Sequence, residues 1–278
     1  MPNYRDVRNF VFRPATVGSL AGLGGGKPSN HRMTTYLRGV FAKPPYTMEK
    51  IQYPASSEPD SIALGVEAAD DWARSTPGPK IIFGMSEGSQ VASDLIDQYA
   101  DDPTAPPPSE LMFVLIGNPR DSQNGYAAAE GVEEFDGGVA EYVRVDSGYR
   151  VVQGKVRYDG WCDWPTDTSN GWAVLNASLG KFHRHNKYPQ WNLFDPRNTV
   201  WFENENTMHV MSPREMFGLP RYDGERRSIP PCVKAGRFAR IEKAHYRPSH
   251  DPSVQIPKAR TWVEVVAMAF ENLREYIR

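Results

Sequence analysis

The feature that most constrains this chain is a strand–turn–helix junction between residues 80 and 99. Lys80-Ile81-Ile82-Phe83 reads as a buried strand, Gly84-Met85-Ser86-Glu87-Gly88 matches G-x-S-x-G, and Gln90 to Tyr99 reads as a helix directly after it. A serine in that frame sits on a sharp, strained turn with its hydroxyl exposed above the edge of a sheet. The flanking glycines keep bulky side chains away from neighbouring backbone. Such a turn belongs where a sheet strand feeds a covering helix, so the junction by itself points to an α/β architecture.

The flanking segments agree. A first strand is expected over Phe10 to Val17, running into the glycine-rich turn Gly18 to Gly26. A short helix is expected around His31 to Phe41, then an extended stretch from Glu49 to Tyr53. A longer helix begins at Asp60-Ser61, both good N-cap types, and carries Ile62, Val66, Ala69 and Ala73 at helical spacing through Trp72. Leu111 to Ile116 is a second buried strand, followed by Gly117-Asn118-Pro119. Strands alternating with helices predict a mainly parallel central sheet covered on both faces, the α/β-hydrolase class.

The second half is less regular. Two β-rich runs lie within Glu141 to Tyr158, a helix over Gly171 to His185, and a last short strand over Asn198 to Glu203. Arg221 to Pro257 is rich in proline and charge and reads as an insertion. The helix Arg260 to Ile277 sets Trp262, Val266, Phe270, Leu273 and Ile277 on one face, which is expected to pack on the sheet. The reading is one domain over residues 1–278, with a core over about 10–215 plus the C-terminal helix 260–277 and an insertion over about 221–257.

Several function classes are disfavoured. The formal net charge is −2 and neither sign gathers into blocks, unlike the basic surplus of a nucleic-acid binder. No apolar run reaches the roughly 18 residues of a membrane span. Met1 to Phe12 has no apolar h-region, so synthesis in a cytosol without a signal peptide is expected. Gly26-Lys27 is followed by Pro28 rather than Ser or Thr, which argues against a P-loop, and the histidines lack H-E-x-x-H spacing. No metal and no other cofactor is expected. Cys162 and Cys232 are too few for a disulfide framework, and their separation leaves pairing open.

A hydroxyl is a weak nucleophile at neutral pH, so Ser86 requires a histidine base and an acid that orients it. In this fold class the chain order is serine, acid, histidine. Tyr158-Asp159-Gly160-Trp161-Cys162-Asp163-Trp164-Pro165 offers two aspartates after a β-rich run. Asp163, just before a tryptophan and a proline, is the favoured acid, while Asp159 precedes a glycine and reads as a turn residue. His209, just beyond the last expected strand, is the favoured base and His185 the alternative. His183 and His185 end a long helix that starts near the acid and carries them away at about 1.5 Å per residue. His245 and His250 fall in the insertion and read as surface polar residues. The oxyanion hole is expected from the backbone N–H of Glu87 and a second N–H in the glycine-rich turn, assigned to Ser19.

Several segments together resemble the PE-PPE domain family, serine α/β hydrolases of mycobacteria related to cutinases and to mycobacteriophage lysin B esterases. The matching residues are Gln52-Tyr53-Pro54-Ala55, Ser61 to Gly65, Phe83 to Ser89, Gly117-Asn118-Pro119-Arg120, Tyr158-Asp159-Gly160 through Asp163-Trp164-Pro165, and Val174-Leu175-Asn176-Ala177 with Gly180 and His185. They cover roughly residues 10 to 215. Glu87 stands where the family usually has glutamine, and His209-Val210-Met211-Ser212-Pro213 departs from the family's apolar stretch after the last strand. His185 aligns with a histidine in the family's helix. The resemblance implies an esterase or lipase acting on lipid-like acyl esters, including mycolyl or other cell-envelope esters of actinobacteria. It also implies a phage-encoded, lysin-B-like protein acting at the host envelope or associated with the virion. Trp161, Trp164, Trp172 and Trp191 are candidates for an acyl groove or for core. The competing reading keeps the hydrolase fold as a catalytically silent binding or virion-structural protein.

Overall fold

The computed structural model describes residues 4–26, 32–131 and 140–213. The C-terminal helix, the insertion and Cys232 lie outside these residues. The chain opens with helix α1 (Tyr4–Phe10) and strand β1 (Ala15–Leu20). Tight 3-10-type turns over Met33–Ala42 lead to β2 (Tyr46–Lys50) and α2 (Ser61–Ser75). Then follow β3 (Lys80–Met85), α3 (Glu87–Ala100), β4 (Leu111–Ile116), the short α4 (Tyr126–Glu130) and β5 (Arg150–Lys155). Helix α5 (Gly171–His183) continues into a 3-10 turn over His185–Gln190 before β6 (Thr199–Phe202) and β7 (Thr207–Met211).

The seven strands form one sheet in the order β2-β1-β3-β4-β5-β7-β6, parallel throughout except for the antiparallel β6–β7 pair at one edge. This is the α/β-hydrolase class. Alternation along each strand divides the core. Ile81, Phe83, Met112, Val114 and Val152 pack with α1 and with Tyr188 and Trp191, while Ile82, Phe113, Leu115 and Val151 pack under α2 and α3. Both faces are covered, which is why β3 and β4 read as continuous apolar runs. The second face turns polar toward the β5–β7 end, where Gln153, Lys155, Thr207 and His209 replace the aliphatic residues and are wholly buried. Among the described residues no helix is long and apolar enough to cross a membrane.

Three elements differ from the sequence expectation. Phe10 ends α1 and the first strand starts at Ala15, because Arg13-Pro14 separates helix from strand. The region 140–158 forms one strand, β5, not two, since residues 140–149 adopt no strand. Most consequential is β7, unforeseen because the short run Thr-Met-His-Val-Met hides a fully buried strand. Burial on both faces removes the polar–apolar alternation by which a strand is usually recognised.

Candidate active site

Ser86 links β3 to α3 with φ 56° and ψ −116°, a left-handed-side conformation that costs a residue with a Cβ about 1–3 kcal/mol. Its hydroxyl makes no capping bond to α3. Both neighbouring glycines are dictated by close approach. A Cβ on Gly84 would lie 2.5 Å from the Gly88 carbonyl oxygen, and one on Gly88 would lie 2.3 Å from that of Leu20. The turn is thus pressed against the end of β1. Its backbone is tied to the next strand as well, through Ser86 N–H donating to Ile116 O at 3.0 Å.

The glycine-rich turn approaches Ser86 at Gly22, where an added Cβ would lie 3.1 Å from the serine Cβ. Ser19, expected in this place, is instead an interior residue of β1. It is registered with Lys50 and Phe83, and its Oγ donates to Glu49 O at 2.9 Å. The strand runs to Leu20, farther than the sequence suggested, so the turn is displaced along the chain. The Glu87 backbone opens α3 beside Ser86, where the first N–H groups of a helix lack intrahelical acceptors. Its side chain turns toward α2 and accepts from Ser61 Oγ at 2.6 Å. Burial pushes the Glu87 carboxyl above the usual carboxylate range, against the lowering effect of the Ser61 hydrogen bond.

An imidazole–carboxylate pair stands over the adjoining strands. His185 Nδ1 lies 2.9 Å from Asp159 Oδ2. A carboxylate only accepts, so Nδ1 carries a proton, and in the neutral imidazole Nε2 is then the nitrogen with the lone pair. The ring rests on Gly117, just past β4, whose added Cβ would fall 2.9 Å from His185 Cε1. Asp159 follows β5 and receives further bonds from Tyr188 O–H at 2.7 Å, Cys162 S–H at 3.6 Å and Trp161 N–H at 3.2 Å. Ser86, the His185 ring and Asp159 therefore stand at the carboxyl ends of β3, β4 and β5, three neighbours in the sheet. Two strand spacings of about 4.8 Å separate the outer members, a gap that one imidazole with a hydrogen bond on either side spans.

Asp163 is wholly buried four residues on and bonds to the turn that presents Asp159. Its Oδ2 accepts from Tyr158 N–H at 2.6 Å and its own N–H donates to Asp159 O at 2.7 Å. Together these hold a turn in which Tyr158 has φ +66°. Helix α5 locks onto the same turn, since an added Cβ on Gly180 would lie 1.7 Å from Tyr158 O.

His209 belongs elsewhere. It lies inside β7, registered with Gln153, which pairs Leu115, which pairs Gly84. That puts its backbone three strands, about 14 Å, from the β3 line, beyond the combined reach of a histidine and a serine side chain. Its Nε2 is 2.9 Å from Glu203 Oε2, its ring stacks on Trp201 at 5.0 Å, and Asp121 Oδ2 is 3.9 Å from Nδ1. Burial lowers its pKa most, with Lys155 adding to the lowering and Glu203 and Asp121 opposing it. Strand order thus sets Ser86, His185 and Asp159 at one edge of the sheet, whereas His209 lies within β7 and Asp163 bonds to the turn of Tyr158 and Asp159. Sequence ranks Asp159 behind Asp163 because an Asp-Gly pair reads as a turn. It ranks His185 second, as the alternative base, because a straight helix carries it away, whereas α5 ends at His183 and the next turn folds back over β4. Gly160 and Gly180, each in backbone contact across the two elements, were the available signal.

A groove of about 860 Å³ opens over Ser86, lined among others by Leu23, Ile62, Val66, Pro119 and Trp161. Trp164 and Trp191 are buried in the interior. Among the described residues no group of His, Cys, Asp and Glu is arranged to hold a metal ion.

A family profile described as PE-PPE domain matches residues 41–217. Similar proteins include two from Mycobacterium tuberculosis H37Rv, "SL1278 acyltransferase Chp1" and "Diacyltrehalose acyltransferase Chp2". The first is 29% identical over 168 residues, covering 56% of this chain and 41% of the relative. The second is 30% identical over 147 residues, covering 48% and 41%. "Esterase PE16" of the same organism is 31% identical over 153 residues, covering 50% and 28%. The chain thus spans about two fifths or less of the length of these relatives. A cutinase-like protein from Cryptococcus sp. matches with TM-score 0.35 and 19% identity, over 55% of this chain and 82% of that one. Lysin B from mycobacteriophage D29 matches with TM-score 0.30 and 18% identity, over 41% and 49%.

Proposed function

The chain belongs to the PE-PPE domain family, and from that premise we propose that it is a serine esterase with Ser86, His185 and Asp159 as its triad. The observation that carries the proposal is the Asp159–His185 hydrogen bond at the same edge of the sheet as the strained Ser86 turn. Ser86 Oγ attacks the acyl carbonyl while His185 Nε2 takes its proton. Asp159 holds the Nδ1–H tautomer and stabilises the imidazolium that forms. The developing oxyanion is met by the Glu87 amide and by an amide of the Gly22–Leu23 turn. His185 returns the proton to the departing alcohol, leaving an acyl-serine. A water or a second alcohol, deprotonated by the same nitrogen, then releases the acyl group. Asp163 serves as a positioning residue that fixes the turn presenting Asp159.

The groove beside Ser86 is of mixed lining, with Glu58, Glu67, Asp70, Asp94 and Asp97 on its walls, and its apolar part at Leu23, Ile62, Val66 and Trp161 suits an acyl chain. Together with relatives named as acyltransferases and an esterase, this supports lipid-like acyl esters as the substrate class, with mycolyl and related cell-envelope esters as the specific expectation. Action at a bacterial envelope follows from that substrate and is part of the same proposal. Fluorophosphonate labelling tests the assignment. Wild type should label, Ser86→Ala should not, and His185→Ala should lose labelling while His209→Ala, if folded, keeps it. A folded wild type that resists labelling refutes the esterase and favours the silent-scaffold reading. Loss of labelling in a folded His209→Ala but not in His185→Ala overturns the choice of base.

A further inference from the structure

Lys181, on the last turn of α5, points its ammonium into a box of three aromatic rings. Nζ lies 2.7 Å from the Tyr126 ring centroid, 4.6 Å from that of Trp161 and 4.7 Å from that of Trp164. The rings also brace each other. Tyr126 meets Trp161 edge-on at 5.5 Å and Trp164 at 4.8 Å, and Trp164 Nε1 donates to Glu130 at 2.6 Å. Lys181 is only 8% exposed, an unusual place for an amine. Trp161 is the shared member of two environments. One side of it contacts Lys181, and it also lines the groove with Ser86 and sits 6.1 Å, centroid to centroid, from the His185 ring.

We propose that Lys181 is a positioning residue for substrate: its ammonium, held by Tyr126, Trp161 and Trp164, fixes the Trp161 face of the groove, so its charge sets substrate affinity rather than the chemical step. The attraction between ammonium and ring faces exists only while the amine is protonated. The charged and titratable groups around it are Glu130 and Tyr126 from α4, Asp159 from the turn after β5, and His185 from the turn after α5. Burial brings the Lys181 amine down to about 7, against the opposing pull of Glu130 and Asp159, so the charge is lost within the working range of an esterase.

The inference rests on the esterase proposal, and one experiment separates the two. Hydrolysis of p-nitrophenyl butyrate is followed from pH 5.5 to 9 for wild type, Ser86→Ala, Lys181→Met and Lys181→Arg, with tryptophan fluorescence titrated in parallel. Wild-type KM should rise roughly three- to tenfold through about pH 7, a change in KM that Lys181→Met lacks. Lys181→Met should have a high, pH-independent KM, and Lys181→Arg should keep a low KM to pH 9. The wild-type fluorescence should shift with the same midpoint, and neither Lys181 variant should show that shift. Wild-type KM and pH profile in Lys181→Met, or a fall in kcat with KM unchanged, overturns the role of Lys181 alone. Wild-type turnover that survives in Ser86→Ala overturns the esterase mechanism and the inference with it. If Lys181→Met does not fold, Lys181→Arg and the fluorescence titration decide: an Arg variant whose KM still climbs through about pH 7 refutes the proposal.

Discussion

Replacing Asp159 by asparagine probes the site most sharply, because the change is isosteric and alters one proton. In the native turn Asp159 Oδ2 accepts from His185 Nδ1 at 2.9 Å and from Tyr188 O–H at 2.7 Å. The other oxygen, Oδ1, accepts from the Trp161 backbone N–H at 3.2 Å, a donor that cannot become an acceptor, whereas the Tyr188 hydroxyl can turn. The amide oxygen therefore stays on Trp161 N–H, and the NH2 takes the Oδ2 place, faces His185 and forces Nδ1 to become the acceptor. The proton then moves to Nε2, where it blocks removal of the Ser86 proton. Loss of the correct tautomer in a Ser-His-Asp triad lowers kcat about 10³- to 10⁴-fold, roughly 4–5.5 kcal/mol of transition-state stabilisation. The folding penalty is smaller, about 1–3 kcal/mol for a buried polar group with an imperfect partner. The assay is kcat/KM on p-nitrophenyl butyrate, with a thermal melt to confirm that the variant is folded. Asp163→Asn is the comparison and should fall about 10- to 100-fold through a displaced Asp159 turn, a misplacement effect. Activity of Asp159→Asn within tenfold of wild type, or a deeper loss in Asp163→Asn, refutes the assignment of the acid.

The buried polar end of the sheet yields two further predictions. Lys155 Nζ lies 2.6 Å from Asp121 Oδ1, with both side chains essentially inaccessible, so Lys155→Met strands a buried carboxylate. It should lower unfolding free energy by about 3–5 kcal/mol in urea titration, and a loss below about 1 kcal/mol contradicts the pairing. His209 is held below its ordinary value by burial, so it stays neutral in the folded chain while the unfolded chain takes up the proton first. Its contribution to stability is therefore complete above about pH 6.5 and is lost as pH falls from there toward the folded-state value. Melting temperature should decline on acidification across that window, and His209→Gln should flatten the decline. An equally steep decline in the variant would place the acid sensitivity elsewhere.

The contrast between the two histidines explains how far the sequence alone reaches. The Ser86 turn was legible because its requirements are local: a buried strand, two glycines at close backbone contacts and a following helix all lie within twenty residues. The parallel α/β class was legible for the same reason, since long apolar runs of β3 and β4 alternate with amphipathic helices. Partner selection is not local. His209 and His185 differ in place because β7 inserts between β5 and β6, setting one histidine about three strand spacings from β3, while α5 ends at His183 and the following turn folds the other over Gly117. Nothing in the spacing of Asp159, Asp163 and the histidines encodes that choice. It follows from strand order and from glycine contacts across elements that meet only when the sheet is assembled. Local sequence suffices for the strained Ser86 turn and the architecture around it. Which acid–histidine pair shares its edge of the sheet is set by strand order, because a hydrogen bond depends on position in space.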